Sequence, residues 1–214
     1  MLFFITGCSF NDIKDLSIDE SLNIGLIGDN DLINTYNKGF KYYMPKGFMI
    51  FKNNLYNQVL ISNNNKYYLN VDIISYYNKI SPTHTKKENT YYYKSFVEDK
   101  KEGYIEIFQN NNYFFIEIMY NYAIIEVAVK ESEINYAVIN MLKILSSIKF
   151  NDKIIENEIG SSIFTQKETV YELEKPKTEV DDRDFLDWVE EYDNYNSEVN
   201  NNNTNIKDED KITD

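Results

Sequence analysis

The chain has 214 residues with 22 basic and 35 acidic side chains, a formal charge of −13, and only one Cys, one His and one Trp. A single Cys excludes an internal disulfide framework and a Cys-based zinc cluster. One Arg within so negative a balance argues against nucleic acid as a partner, because phosphate recognition needs clustered cations to release counterions. The charge is also unevenly placed: residues 1–150 hold 15 basic and 16 acidic groups, whereas residues 151–214 hold 7 and 19. That asymmetry separates a nearly neutral, aromatic-rich block from an acidic, solvated extension.

At the amino terminus, the apolar run Leu2-Phe3-Phe4-Ile5 is closed by Thr6-Gly7-Cys8. Ile5-Thr6-Gly7 before Cys8 resembles the lipobox of bacterial lipoproteins. In that family the thiol accepts a diacylglyceryl group, a small residue precedes it for the peptidase, and the mature chain starts at the lipidated Cys. The resemblance implies that residues 1–8 are a remnant lipoprotein signal, that Cys8 is the lipid-attachment residue, and that the protein sits on the extracytoplasmic face of the cell membrane. No Lys or Arg precedes Lys14, and the apolar run is shorter than the roughly 7–15 residues of a full signal. The competing reading is a first strand with a buried, inert thiol. No stretch approaches about 18 consecutive apolar residues, so no membrane-spanning helix is expected.

Residues 9–35 are expected to be a tether and short helix, polar from Ser9 to Ser21 and helical over 18–33, with Leu22, Leu26 and Ile33 available to a core. Gly25 and Gly28 weaken the helix. Strands follow over 40–44, 48–52 and 58–62, separated by the turn signal Pro45-Lys46-Gly47 and by Asn53-Asn54. Beyond Asn63-Asn64-Asn65, residues 66–75 alternate with period two, Tyr67, Leu69, Val71 and Ile73 on one face. Ser81-Pro82-Thr83-His84 reads as a loop and 91–102 as a short helix stopped by Gly103. Strands over 104–108, 113–120 and 123–129 have connections so short, at Asn110-Asn111-Asn112 and Asn121, that they must be antiparallel. Ile134, Ala137, Val138, Met141, Leu142 and Leu145 then form one helical stripe, with Ser132 as its expected N-cap. Ser146 to Phe150 leaves the helix as a final strand. The fold class is α+β, an antiparallel sheet with packed helices over 36–150.

Pro45-Lys46-Gly47 after an early strand, the meander, and the run from Leu142 through Ser146-Ser147-Ile148-Lys149-Phe150 are similar to the Mog1/PsbP-type α/β/α sandwich. The resemblance implies that fold for about residues 36–150 and a non-enzymatic role, but no ligand.

Candidate chemistry is sparse. His84 is the only histidine, so any Ser-His-Asp or Cys-His site must use it; no orienting partner can be named, and a solvent-exposed loop histidine is expected. A two-His metal site is impossible in one chain. Ser146-Ser147-Ile148-Lys149 matches Ser-x-x-Lys without its companion motifs. Asp29-Asn30-Asp31 lacks the later ligands of a calcium loop, since Ile33, Asn34 and Phe40 fill those places. Glu106, Glu117 and Glu126 alternate with apolar residues and are expected on the polar face of the sheet. Tyrosines come in adjacent groups, Tyr42-Tyr43, Tyr67-Tyr68, Tyr76-Tyr77 and Tyr91-Tyr92-Tyr93, and in a strand neighbours point to opposite faces. The reading assigns no catalytic residue, no metal site and no cofactor.

Residues 151–193 form an acidic extension. Its first part is apolar enough to pack on the domain or to form a further hairpin. Beyond Pro176, Phe185, Trp188, Val189 and Tyr192 share one face of a short amphipathic helix, which docks on its own domain or in a partner's groove. Residues 194–214 are low-complexity and expected to be disordered. The functional expectation is a membrane-anchored lipoprotein with a non-catalytic binding or structural domain, its partners the membrane through its lipid and an envelope protein or glycan. The alternatives are an extracytoplasmic hydrolase using sheet-face carboxylates and a soluble intracellular protein with a regulatory acidic tail.

Overall fold

A computed structural model describes residues 13–27, 32–81, 83–165 and 176, with side chains as far as Ile159. A single 3-10 turn, Ile13–Asp15, precedes helix α1 (Ile18–Leu26). Strands β1 (Thr35–Asn37) and β2 (Phe40–Tyr42) form a hairpin, followed by a three-strand meander of β3 (Met49–Asn54), β4 (Asn57–Ser62) and β5 (Asn65–Val71). Helix α2 (Ile73–Asn78) leads into a four-strand meander of β6 (Tyr92–Glu98), β7 (Lys101–Asn110), β8 (Tyr113–Tyr120) and β9 (Ala123–Lys130). Helix α3 (Ile134–Ser146), β10 (Lys149–Phe150) and helix α4 (Asp152–Thr165) complete the described chain.

The two meanders join into one seven-stranded antiparallel sheet, ordered β3-β4-β5-β9-β8-β7-β6, and β1-β2-β10 make a second, three-stranded sheet. The fold is therefore α+β, as the periodicities required. Asparagines supply much of the turn geometry: Asn63, Asn64, Asn111 and Asn121 all have positive φ, a conformation that short polar side chains tolerate better than other L-residues. At Pro45-Lys46-Gly47 the Phe48 N–H donates to the Pro45 carbonyl at 3.2 Å, closing the expected turn.

All six residues of the α3 stripe are buried, together with Ile139 and Ile144. They lie on the sheet face formed by Ile116, Ile118, Ile125 and Val127, which are themselves almost wholly buried. The second helix on this face is α1. Ser17 caps it in a reciprocal capping box with Glu20: the Glu20 N–H donates to Ser17 Oγ at 3.2 Å, and the Ser17 N–H donates to Glu20 Oε2 at 2.8 Å.

Several boundaries differ from the expectations. The packed unit begins before residue 36, because Asn135 Nδ2 donates to the Leu16 carbonyl at 2.7 Å and Leu22 is buried against α3. Residues 13–16 therefore lie on the domain surface rather than in a free tether. The first helix stops at Leu26, short of Ile33. Strand β5 ends at Val71 because the Asp72 side chain accepts from the Ser75 N–H and starts α2. The expected helix over 91–102 is instead β6 plus a turn at Asp99 and Lys100, and Gly103 lies inside β7. A Cβ there would meet the Phe96 ring at 2.7 Å, so this glycine admits an aromatic side chain rather than ending a helix. The β3–β4 turn falls at Leu55 and Tyr56 rather than at Asn53-Asn54. Ser132 does not cap α3; it sits in a 3-10 turn, and the helix begins at Ile134 without a side-chain cap. Beyond residue 150 the chain stays packed as a helix, not a hairpin: Ile155 is wholly buried, and Lys38 and Glu158 pair at 2.6 Å.

Gly25 explains why a weak helix former stands in α1. A Cβ built on it would lie 2.6 Å from Leu142 Cβ and 3.0 Å from the Ile139 carbonyl oxygen. Gly25→Ala is expected to destabilise the protein by about 1–3 kcal/mol through overpacking, outweighing the roughly 1 kcal/mol of helix propensity that alanine adds. A lowered urea midpoint checks this; a raised midpoint would show that α1 can move away at little cost.

Candidate functional site

The strongest cluster of chemically capable side chains lies on the sheet face opposite α3. Its origin is arithmetic. The β7–β8 and β8–β9 turns pair Glu106 with Glu117, and Glu117 with Glu126, as direct cross-strand partners. Alternation sends the flanking Ile105, Ile107, Ile116, Ile118, Ile125 and Val127 into the helix-covered core. Three carboxylates thus stand abreast, an arrangement in which like charges repel. Tyr93 of β6 and Tyr68 of β5 continue the row at either end.

The loop from Lys79 to Tyr91 returns over this face, its last residue tied to β7 by the Tyr91 N–H donating to the Ile107 carbonyl at 2.8 Å. It brings His84 onto the sheet, with Nε2 2.8 Å from Glu106 Oε2. The imidazole stacks on Tyr104, ring centres 3.8 Å apart and planes 13° apart, with Tyr93 beyond it at 5.9 Å. The expectation of an exposed histidine without a partner is corrected: the side chain is 14% exposed and Glu106 orients it. Glu106 faces away from the helices, as expected, yet the loop buries it completely.

Glu106 and Glu117 are each held through one oxygen. Glu106 Oε1 accepts from the Lys87 N–H at 2.9 Å and from the Thr90 hydroxyl at 2.8 Å. Glu117 Oε1 accepts from the Tyr104 hydroxyl at 2.6 Å. The Oε2 atoms turn inward, where Lys87 Nζ stands 3.5 Å from that of Glu117 and 4.0 Å from that of Glu106. Burial alone raises the affinity of Glu106 for a proton. The Lys87 N–H, the Thr90 hydroxyl and His84 together outweigh it and hold the carboxyl below the ordinary glutamate range. Burial, reinforced by the Glu117 carboxylate that accepts its hydrogen, pushes the Tyr104 phenol far above its usual range.

Among the described residues, no other sequence candidate joins this cluster. Cys8, Asp29, Asp31, Phe185, Trp188, Val189 and Tyr192 lie outside the described residues. Ser146, the serine of the Ser-x-x-Lys match, is the last residue of α3 and its Oγ donates to the Lys143 carbonyl at 3.4 Å; the Oγ of Ser147 donates to the Ile144 carbonyl at 2.8 Å and accepts from the Tyr43 N–H at 2.9 Å. Adjacent tyrosines do split between faces, with Tyr42 and Tyr67 wholly buried and Tyr43 and Tyr68 half-exposed. A depression lined by Lys52, Asn54, Gln58 and Asn70 holds about 180 Å³ counted with open solvent, below the roughly 300 Å³ at which small-molecule pockets begin.

No protein-family model matches the chain, and a comparison with curated proteins also finds no match.

Because the Glu106 carboxyl is held below its unfolded value of about 4.3, its contribution to loop anchoring is present above that pH. It is lost as pH falls through the lower folded value. Amide-exchange protection of Lys87 is therefore expected to persist at about pH 5 and to collapse only once acidification passes the lowered folded value of Glu106. Glu106→Ala is expected to remove that protection already at pH 7; unchanged exchange in the variant would show that the loop is held by other contacts.

Proposed function

We propose that this chain is a lipid-anchored protein of the extracytoplasmic membrane face, whose domain binds or supports a partner rather than catalysing a reaction. The observation that carries the anchor is Ile5-Thr6-Gly7 before Cys8, the sole thiol of the chain. Asn135 fixes Ile13 and Leu16 on α3, and Ile13 stands five residues after Cys8. An extended chain spans at most about 3.4 Å per residue. A lipid on Cys8 would therefore hold that surface within roughly 17 Å of the membrane. A Mog1/PsbP-like identity for the domain belongs to the same proposal; it rests on Pro45-Lys46-Gly47 and the run from Ser146 to Phe150.

The binding role is favoured over catalysis by how the site's groups are used. His84 is turned onto Glu106, which also takes the Lys87 N–H and so closes the loop on the sheet, while Glu117 takes the Tyr104 hydroxyl of the neighbouring strand. One observation favours a hydrolase as the second reading: His84, Glu106 and Glu117 gather their ligand atoms within 4.8 Å.

Metabolic labelling with a radioactive or clickable fatty acid, in a bacterium that processes lipoproteins, tests the anchor. Native protein is expected to carry label and to sediment with membranes, while Cys8→Ser carries none and is released. Absence of label from both, or equal label in both, would overturn the assignment.

A further inference from the structure

We propose that His84, Glu106 and Glu117 form a binding site for a borderline divalent cation, Zn²⁺ foremost, beneath the 79–91 loop. The inference is independent of lipidation. It rests on how three side chains from three separate chain segments are aimed. Their nearest ligand atoms, one nitrogen and two carboxylate oxygens, all lie within 4.8 Å of one another. One of the three residues is completely buried and the other two are mostly so. A solvated acidic surface does not have that burial.

The carboxylates are arranged as metal-binding carboxylates are: one oxygen fixed from behind, the other free to ligate. Thr90 and the Lys87 N–H hold Glu106 Oε1 and leave Oε2 against His84 Nε2, while Tyr104 holds Glu117 Oε1 and leaves Oε2 toward Lys87 Nζ, with a carboxylate oxygen of each residue inside the 4.8 Å cluster. The imidazole plane is set by its stack on Tyr104. Glu126 stands next in the same cross-strand row and adds a third negative charge to the field. The group beside both Oε2 atoms is itself a cation, Lys87 Nζ, at 3.5 and 4.0 Å. Those separations are longer than a tight ion pair, and the lysine side chain is 54% exposed. It can swing out without breaking the Lys87 N–H bond to Glu106.

Zinc suits this donor set because it accepts imidazole and monodentate carboxylate at about 2.0–2.2 Å in a tetrahedron, which places ligands about 3.4 Å apart. The His84–Glu106 contact opens slightly to reach that spacing as the ion takes the place of the proton between them, and Glu117 moves inward. Calcium, which takes oxygen ligands, makes no use of His84.

The test uses the full chain, stripped with chelator and titrated with ZnCl₂, and it exploits the single histidine. One imidazole spin system is visible by NMR, and its ring resonances are expected to shift and to saturate near one equivalent. In competition with a chromogenic chelator, His84→Ala and Glu117→Gln are each expected to weaken the tight site at least tenfold while keeping the native circular dichroism. Lys87→Met is expected to bind at least as tightly as the native chain, since it removes the competing ammonium. Weak sites on the acidic extension persist in every variant and do not move the imidazole. A ring that stays unshifted at excess zinc, an unchanged affinity in His84→Ala, or a Lys87→Met variant that binds more weakly would each overturn the proposal. Should His84→Ala fail to fold, the native imidazole titration alone decides.

Discussion

Helix α3 is the contact on which the remaining structure depends. Ala137, Val138, Met141, Leu142, Ile144 and Leu145 are wholly buried, and truncating one such Leu in a core costs about 2–5 kcal/mol. The same helix receives α1 through Gly25 and Leu142, and it holds the chain before α1 through Asn135. One element thus fixes the sheet's covered face and the path of the amino-terminal segment together. The opposite face, relieved of core packing over β7 and β8, is where polar chemistry collects.

That second face carries an electrostatic cost of its own. Like charges directly opposite in a sheet destabilise by roughly 0.2–1 kcal/mol per pair. Leaving a buried polar group without donors costs more, about 1–3 kcal/mol and above for a charge. The satisfaction of Glu106 therefore outweighs repulsion along the row, and it is met by a loop rather than by the sheet. The Lys87 N–H, the Thr90 hydroxyl and His84 are all loop groups. The loop's path and the ionised state of Glu106 stabilise each other.

What was legible in the sequence follows the strength of the local pattern. The α3 stripe and the strands β8 and β9 were readable because apolar residues repeat there with clean periods. The strand β6 was not: it is an edge strand, its inward positions Tyr92, Lys94 and Phe96 mix charge with aromatics, and Gly103 imitates a helix stop. The site was half legible. Glu106 and Glu117 are symmetric about the Asn111-Asn112 turn, and Glu117 and Glu126 about Asn121-Tyr122, so the triplets Ile105-Glu106-Ile107, Ile116-Glu117-Ile118 and Ile125-Glu126-Val127 already implied three carboxylates abreast. His84 carried no such signal. Its partner is 22 residues away, and only the course of an irregular loop brings the two together.

The strand order has a kinetic consequence. All seven strands of the large sheet pair along two meanders of neighbours in sequence order, and β5–β9 is the seam between them. Pairing Val71 with Ala123 closes a loop of about 50 residues, an entropic cost near 3.5 kcal/mol from the logarithmic closure law, beyond its constant. Contacts from β6 to α3 are local by comparison and can form first. The seam is then the costliest chain closure within the large sheet, and until it closes the inner edge of each meander stands open to intermolecular pairing.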